Sequence, residues 1–125
     1  MSSHALLDRL GFAAGQRVAV LHADDVGMCH GANTAFVELS RLGRLTCGSV
    51  MMPCPWSPEI ARIAAEDGTL DLGVHLTLTS EWMGYRWGPL TRAGKASGLV
   101  DGEGYFHRSV AALAEGVVEE AAEEE

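Results

Sequence analysis

The sequence has little of what would mark a secreted, membrane-spanning or nucleic-acid-binding protein. Its 125 residues contain three cysteines, Cys29, Cys47 and Cys54, with no C-x-x-C pair and one left over, which argues against a disulfide framework. No apolar run approaches the roughly 18–20 residues needed to cross a bilayer. The N-terminus, MSSHALLDRLGF, has no basic start followed by a continuous apolar stretch, so no secretory signal is expected and the cytoplasm is the expected setting. Nine basic residues, of which Lys95 is the single lysine, form no stripe. Nucleic acid is therefore excluded as a partner, because phosphate contacts need clustered Lys and Arg. Nucleophile-elbow (G-x-S-x-G), Walker A and G-x-G-x-x-G patterns are absent, and the chemistries they carry lapse with them.

What is present suits one modest α/β domain. Hydrophobic residues make up 47% of the chain and charged residues 21%, enough apolar material for a core. The net charge of −8 is concentrated at the end of the chain. Glu115, Glu119, Glu120, Glu123, Glu124 and Glu125 account for six of the 17 acids, and no base follows Arg108.

The run Arg17–His22 predicts a strand buried on both faces, with Asp24-Asp25 and Gly27 in the loop at its C-terminal end. Ala32, Ala35, Phe36, Leu39 and Leu42 fall at helical spacing, and Gly43 supplies a stop. Leu45–Met52 predicts a second strand, closed by Pro53 and Pro55. Ser57-Pro58-Glu59 predicts a helix start with Ser57 as cap, Ile60, Ile63 and Ala64 as the apolar face and Gly68 as the end. Leu72–Leu78 predicts a third strand. Short apolar strands alternating with helices of about ten residues imply parallel strands in an α/β layer or barrel. Residues 79–104, rich in glycine with Trp82, Tyr85 and Trp87 interleaved, predict a long loop, and long loops in compact domains are usually functional or mobile. Residues 109–125 resume helical spacing. Glutamates at the end of that helix oppose its dipole, so a helix cut short is expected there, with a solvated acidic tail as the alternative.

Adjacent aspartates after a buried strand are costly unless a cation or a turn accounts for them. At the C-terminal end of a parallel strand they face the crevice where α/β proteins bind ligands. His75 lies inside the third strand between apolar neighbours. Alone it suits a packed core histidine; together with an aspartate from the first strand it suits the first shell of a divalent metal. His22 precedes the Asp pair and is expected to support it or to end its strand. His30 and His107 suit caps or solvent exposure. Asn33, in the first turn of the following helix, either reaches back over the site or is helix-start polarity. Trp82, Tyr85 and Trp87 either stack on a sugar ring or plug the end of the domain. The three cysteines are expected to be small buried hydrophobes.

The segment VAVLHADDVGMCHGAN, followed by LTCGSVMMP and LGVHLTLTSEW, resembles the YdjC-like carbohydrate deacetylase family. That family opens with a strand, an [NH]-A-D-D-x-G motif and an Asn eight residues after the second Asp, here Asn33. A T-x-x-S strand (Thr46 to Ser49) and a G-x-H-[LF]-x-L-T strand follow. Pro89-Leu90-Thr91 and residues 101–106 (DGEGYF) continue the likeness, while Val26 stands where Phe or Leu is usual. The resemblance implies a (β/α) barrel variant, of which residues 1–125 are an N-terminal part of a single domain. It implies removal of an acetyl group from an N-acetylated sugar or oligosaccharide with a divalent metal, Mg²⁺ or Zn²⁺. By motif, Asp25 and His75 become metal ligands and Asp24 the base, an assignment that follows the Asp-Asp of other polysaccharide deacetylases and could be exchanged within the pair. Asn33, Trp82 and Trp87 become substrate contacts and His22 a support. The small carbohydrate is the expected partner, with homo-oligomerisation left open. The family's further metal histidine, from a T-H-x-D-x-H-type strand, has no counterpart here, so this chain alone is expected to be nearly inactive.

Two other classes compete. A receiver-like signalling domain also places paired acids after its first strand to hold Mg²⁺. It needs an Asp ending the third strand, where this chain has His75, and a lysine near the fifth, whereas Lys95 falls in a glycine-rich loop. A non-catalytic remnant or interaction module would keep the Asp pair only as a turn.

Overall fold

The computed structural model of the chain describes residues 3–91 and 97–125. Among the described residues eight elements follow one another: α1 (Ser3–Arg9), β1 (His22–Val26), α2 (His30–Arg41), β2 (Cys47–Met51), α3 (Ser57–Glu66), β3 (Leu72–His75), α4 (Val110–Ala114) and α5 (Glu119–Glu124). The three strands form one parallel sheet in the order β1-β2-β3, each joined to the next through a helix, as the β-α-β-α-β pattern predicts. Among the described residues no helix is long and apolar enough to cross a membrane.

Strand β1 begins later than the apolar run suggests. Val18, Val20 and Leu21 are exposed, and pairing starts where Thr46 N–H donates to Leu21 O at 2.8 Å. β1 therefore runs through Asp24 and Asp25, and the aspartates stand inside the strand, not in a loop beyond it. β3 is also shorter than its apolar run and stops at His75.

Helix α2 buries Asn33, Phe36 and Val37, whereas Leu39 and Leu42 are exposed. Of the stripe read at Ala32, Ala35, Phe36, Leu39 and Leu42, Phe36 is buried as expected, and the buried face is rotated away from Leu39 and Leu42. The rotation seats Phe36 against Gly48 of β2, where an added Cβ would come within 2.6 Å of the ring. Gly43 stops the helix at φ +65°: its N–H donates to Ser40 O and Arg44 N–H donates to Leu39 O, the paired bonds of a left-handed helix terminus. In α3 the cap position belongs to Trp56. Ser57 donates its hydroxyl to Met52 O at 2.9 Å and so is spent on the loop behind it, while Pro58 sits in the first turn as expected. Asp67, whose carboxylate accepts from both the N–H and the hydroxyl of Thr69, ends α3 ahead of Gly68.

A single helix over 109–125 does not form. Leu113 O accepts the Gly116 N–H in a turn, and Val118 N–H is taken by Ser97 O at 2.9 Å, so the helical ladder breaks between α4 and α5. Glycine's entropic cost makes Gly116 the natural break. Glu119 and Glu120 consequently open a new helix, where its dipole favours acids. Glu125 is also partnered: its carboxylate accepts the N–H groups of Leu90 and Thr91 and the Thr91 hydroxyl.

Apolar residues collect in two clusters. Val26, Phe36, Val37, Val50 and Ile60 lie between the sheet and α2 and α3. Met51, Cys54, Trp87, Leu99, Val100 and Phe106 form the second, joined by Leu113 and Val117. The Gly/aromatic segment 79–104 supplies much of this second cluster. Its centre, residues 92–96 with Lys95, lies outside the described residues.

Candidate metal-binding and hydrolytic site

The site is built by an irregularity in β1. Ala23 pairs with Gly48 and Val26 with Val50, which leaves Asp24 and Asp25 together opposite Ser49. Two residues against one is a β-bulge. Regular alternation would send adjacent side chains to opposite faces. Ala23 and Val26 both pack into the helix-side cluster, so the extra residue places both carboxylates on the other face. Asp25 takes the strain, with φ +60°, the only described residue other than glycine in the left-handed region. Strain of this kind persists where the surrounding structure enforces it, and it concentrates at functional sites.

The two carboxylates have different neighbours. Asp24 Oδ1 accepts from Ser49 Oγ at 3.3 Å and lies 3.3 Å from His22 Nε2, while 70% of its side chain is exposed. Asp25 Oδ1 lies 3.3 Å from Nδ1 of His75, brought over by the pairing of Met51 with His75 across β2 and β3. That His75 nitrogen is buried, and its approach to Asp25 is too poorly aligned to make a hydrogen bond. A cavity of about 270 Å³ opens beside the pair, lined by Asp25, Met51, His75, Leu76, Thr77, Thr79 and Glu81. Thr79 donates its hydroxyl to Glu81, holding that carboxylate at the cavity wall.

His75 Nδ1 and Asp25 Oδ1, 3.3 Å apart on two residues that line one cavity, form a donor pair suited to a cation when the imidazole is neutral with Nδ1 bare. The orphaned His75 nitrogen is the observation that favours it: a neutral imidazole next to a carboxylate ordinarily turns an N–H toward it. The set stops at two, since among the described residues no three His, Cys, Asp or Glu side chains come together as a metal shell.

The remaining expected site residues divide. His22 touches Asp24 and stands within the site. Asn33 does not reach over it. Its side chain is buried; Oδ1 accepts the Gly27 N–H at 2.7 Å, and Nδ2 donates to Trp56 O and to Glu59 Oε2, so it ties the turn after β1 to the start of α3. An amide this buried, with three of its four hydrogen bonds made inside the protein, is out of a ligand's reach. Trp87 is corrected too: it is buried in the second cluster and donates its indole N–H to Thr79 O. Trp82 is exposed and available. Tyr85 donates its hydroxyl to Met28 O at 2.7 Å, a bond that fastens the long loop to the segment after β1.

Of the cysteines, only Cys54 is fully buried. Burial, and then the negative charge of Asp25, push its thiol up to about 11, so it stays protonated and inert. Cys29 is exposed and accepts the Ala32 N–H as the cap of α2, and Cys47 is half-buried with its sulfur 3.1 Å from His22 Nδ1. His30 is exposed and pairs with Glu59 at 2.9 Å. The Asn33 amide and then His30 hold that carboxyl below its usual range.

Four further residues hold the site or the loop that lines it. Ser49 is legible only as the end of T-x-x-S, and Cys47 and Glu81 carry no signal that separates them from ordinary strand or loop residues. Arg86 is the fourth. Its side chain is only 7% exposed, and it binds Asp101, Phe106 O and Ser80 while lying 5.1 Å from the Tyr105 ring.

Comparison with known proteins follows the same lines. The YdjC-like protein family matches residues 18–125. A carbohydrate deacetylase of Thermus thermophilus is 44% identical over 108 residues, covering 86% of this chain and 35% of that protein. A carbohydrate deacetylase of Brevibacillus brevis is 33% identical over 101 residues, covering 81% and 38%. Among solved structures, a protein of Enterococcus faecalis assigned to cellobiose-phosphate cleavage superposes with a TM-score of 0.67 at 32% identity, covering 85% of this chain and 39% of that one. The chain thus spans a little over a third of the length of the curated relatives it matches.

Proposed function

The chain belongs to the YdjC-like protein family, and on that basis we propose that it supplies the first part of the active site of a divalent-metal-dependent hydrolase acting on an N-acetylated sugar. The observation that carries this reading is the bulge at Asp24 and Asp25, which turns two adjacent carboxylates to one face and gives them different partners. Asp25 and His75 would hold the ion, Mg²⁺ or Zn²⁺. The ion, when bound, makes a water acidic and polarises the amide carbonyl. Asp24 is solvent-facing and steadied at one oxygen, and it takes the proton of the attacking water as general base. Water adds to the amide carbon, the proton held by Asp24 passes to the nitrogen as the C–N bond breaks, and acetate and the protonated sugar amine leave. Trp82 offers an exposed ring to the C–H face of the sugar. The sheet β1-β2-β3 forms the opening strands of a (β/α) barrel. With two protein donors the chain by itself holds metal weakly, and its turnover alone is close to zero.

Calorimetric titration with Zn²⁺ tests the assignment. The wild-type chain is expected to give a weak isotherm that Asp25→Ala and His75→Ala each abolish. Three indistinguishable isotherms would sink it and leave the Asp pair as a turn in a non-catalytic module.

A further inference from the structure

Three side chains around Asp24 take no chemical step in the reaction proposed above, and their contacts run in one direction. His22 Nε2 lies 3.0 Å from Ser49 Oγ and 3.3 Å from Asp24 Oδ1. The 3.3 Å approach to Asp24 is an ion-pair distance, and the hydrogen bond of Nε2 is the one with Ser49. The Ser49 hydroxyl spends its own hydrogen on Asp24 Oδ1, which leaves its lone pairs to accept from that same Nε2–H. A neutral imidazole with hydrogen on Nε2 has a bare Nδ1, and His22 Nδ1 lies 3.1 Å from Cys47 Sγ. The thiol is the donor there.

We infer that Cys47, His22 and Ser49 form a directed hydrogen-bond relay, S–H to Nδ1, then Nε2–H to the Ser49 hydroxyl, then Ser49 O–H to Asp24, which positions the Asp24 carboxylate. Backbone pairing sets the geometry. His22 is in register with Cys47, and Ser49 follows two residues later on the same face of β2, so the ring is held between the thiol and the hydroxyl. Both contacts to the carboxylate fall on Oδ1, and Oδ2 is left for the water. The three are positioning residues: none of them meets the substrate, and each acts through Asp24. That a thiol stands at the head of the relay makes Cys47 the place where thiol modification reaches the site, since a blocked sulfur cannot donate to Nδ1. What Asp24 does rests on the hydrolytic reading; the relay itself rests only on the contacts.

Nuclear magnetic resonance of the chain labelled with ¹⁵N-histidine reads the tautomer directly and needs no turnover. At neutral pH His22 is expected as a single Nε2–H tautomer with a pyridine-like Nδ1. Cys47→Ala is expected to shift the Nδ1 signal and let the tautomers exchange, and Cys47→Ser, which restores an O–H donor, to bring the wild-type signature back. A merely structural cysteine would tolerate alanine as well as serine. An Nδ1–H tautomer or an imidazolium in the wild type overturns the relay, as does a ring that ignores Cys47→Ala. If the wild-type tautomer holds while the zinc isotherms ignore Asp25→Ala, the relay stands and the metal-hydrolase reading falls.

Discussion

On the helical face of the sheet, Val26, Phe36, Val37, Val50 and Ile60 come from residues 26–60 and meet because short regular elements bring them together. On the opposite face, Met51 and Cys54 meet Trp87, Leu99, Val100 and Phe106, which come from a segment whose described residues form almost no regular structure. There the order comes from directional bonds. Arg86 donates to Asp101 and to Phe106 O, and the Ser80 hydroxyl accepts both Arg86 Nε–H and Trp87 N–H. A buried arginine with its carboxylate adds little net stability by itself, but it fixes a loop whose backbone groups would otherwise lack partners. The reacting groups lie on this second face. The layer closed by helices buries one amide, Asn33, already spent on Gly27, Trp56 and Glu59, whereas the layer closed by a bonded loop places Thr79 and Glu81 beside Asp25 and His75.

Crowding each face in turn is the strongest way to break the comparison. Gly98 has φ +71°, and a Cβ there would sit 1.8 Å from Gly116 O, so Gly98→Ala meets both backbone strain and a backbone clash. It is expected to cost about 3 kcal/mol, read as a lowered denaturant midpoint with loss of protection in the loop half first. On the helical face, Gly48→Ala meets the edge of the Phe36 ring at 2.6 Å, a side chain that can shift. A smaller cost of about 1–2 kcal/mol is expected there. Equal costs would mean that the loop half gives way as easily as the helical half.

Acid sharpens the same contrast. Burial acts to raise the Asp101 carboxyl, but the bonds from Arg86 and from the backbone of Glu103 and Tyr105 outweigh it and hold the group at about 2, below its ordinary 3.8. A carboxyl lowered on folding stabilises in full above its unfolded value, and the contribution is lost as pH falls through the folded one. The loop half is therefore expected to loosen between about pH 4 and pH 2, followed by tryptophan fluorescence through Trp87. Asp101→Asn should start looser and lose this pH step; a step that survives in the variant would assign it elsewhere.

The smallest effect is expected at the bulge. Asp25→Gly relieves a left-handed backbone that glycine adopts without cost, and should raise the denaturation midpoint by an amount equivalent to about 1 kcal/mol while removing a metal donor. A residue held against its own stability is the mark of a site, so a destabilised glycine variant would count against the functional reading of the bulge.

Much of the helical half is legible in the sequence. The alternation of apolar runs with helical spacing gives the parallel strands and the order of elements, and Gly43 marks the end of α2. The details that fail share one cause. The stripe on α2 rotates and β1 starts late because burial depends on what packs opposite, and that partner is distant along the chain. The helix over 109–125 splits because Ser97, remote in sequence, takes the Val118 N–H. Asn33 and Trp87, polar or aromatic near the motif, pass for substrate contacts until their partners, Gly27 and Glu59 for one and Thr79 for the other, are known.

By itself the sequence determined the composition of the site: two adjacent aspartates on the first strand, a histidine on the third and a T-x-x-S strand between them. Those residue types, and their order, limit the chemistry on offer. Only the tertiary structure decided which way the groups face. Alternation along a regular strand would separate Asp24 from Asp25 across the sheet, and one extra residue in the pairing of β1 with β2 puts them side by side. That extra residue is set by the packing of Ala23 and Val26 against the helices, and so it is a property of the assembled layers, which no local pattern in the chain contains.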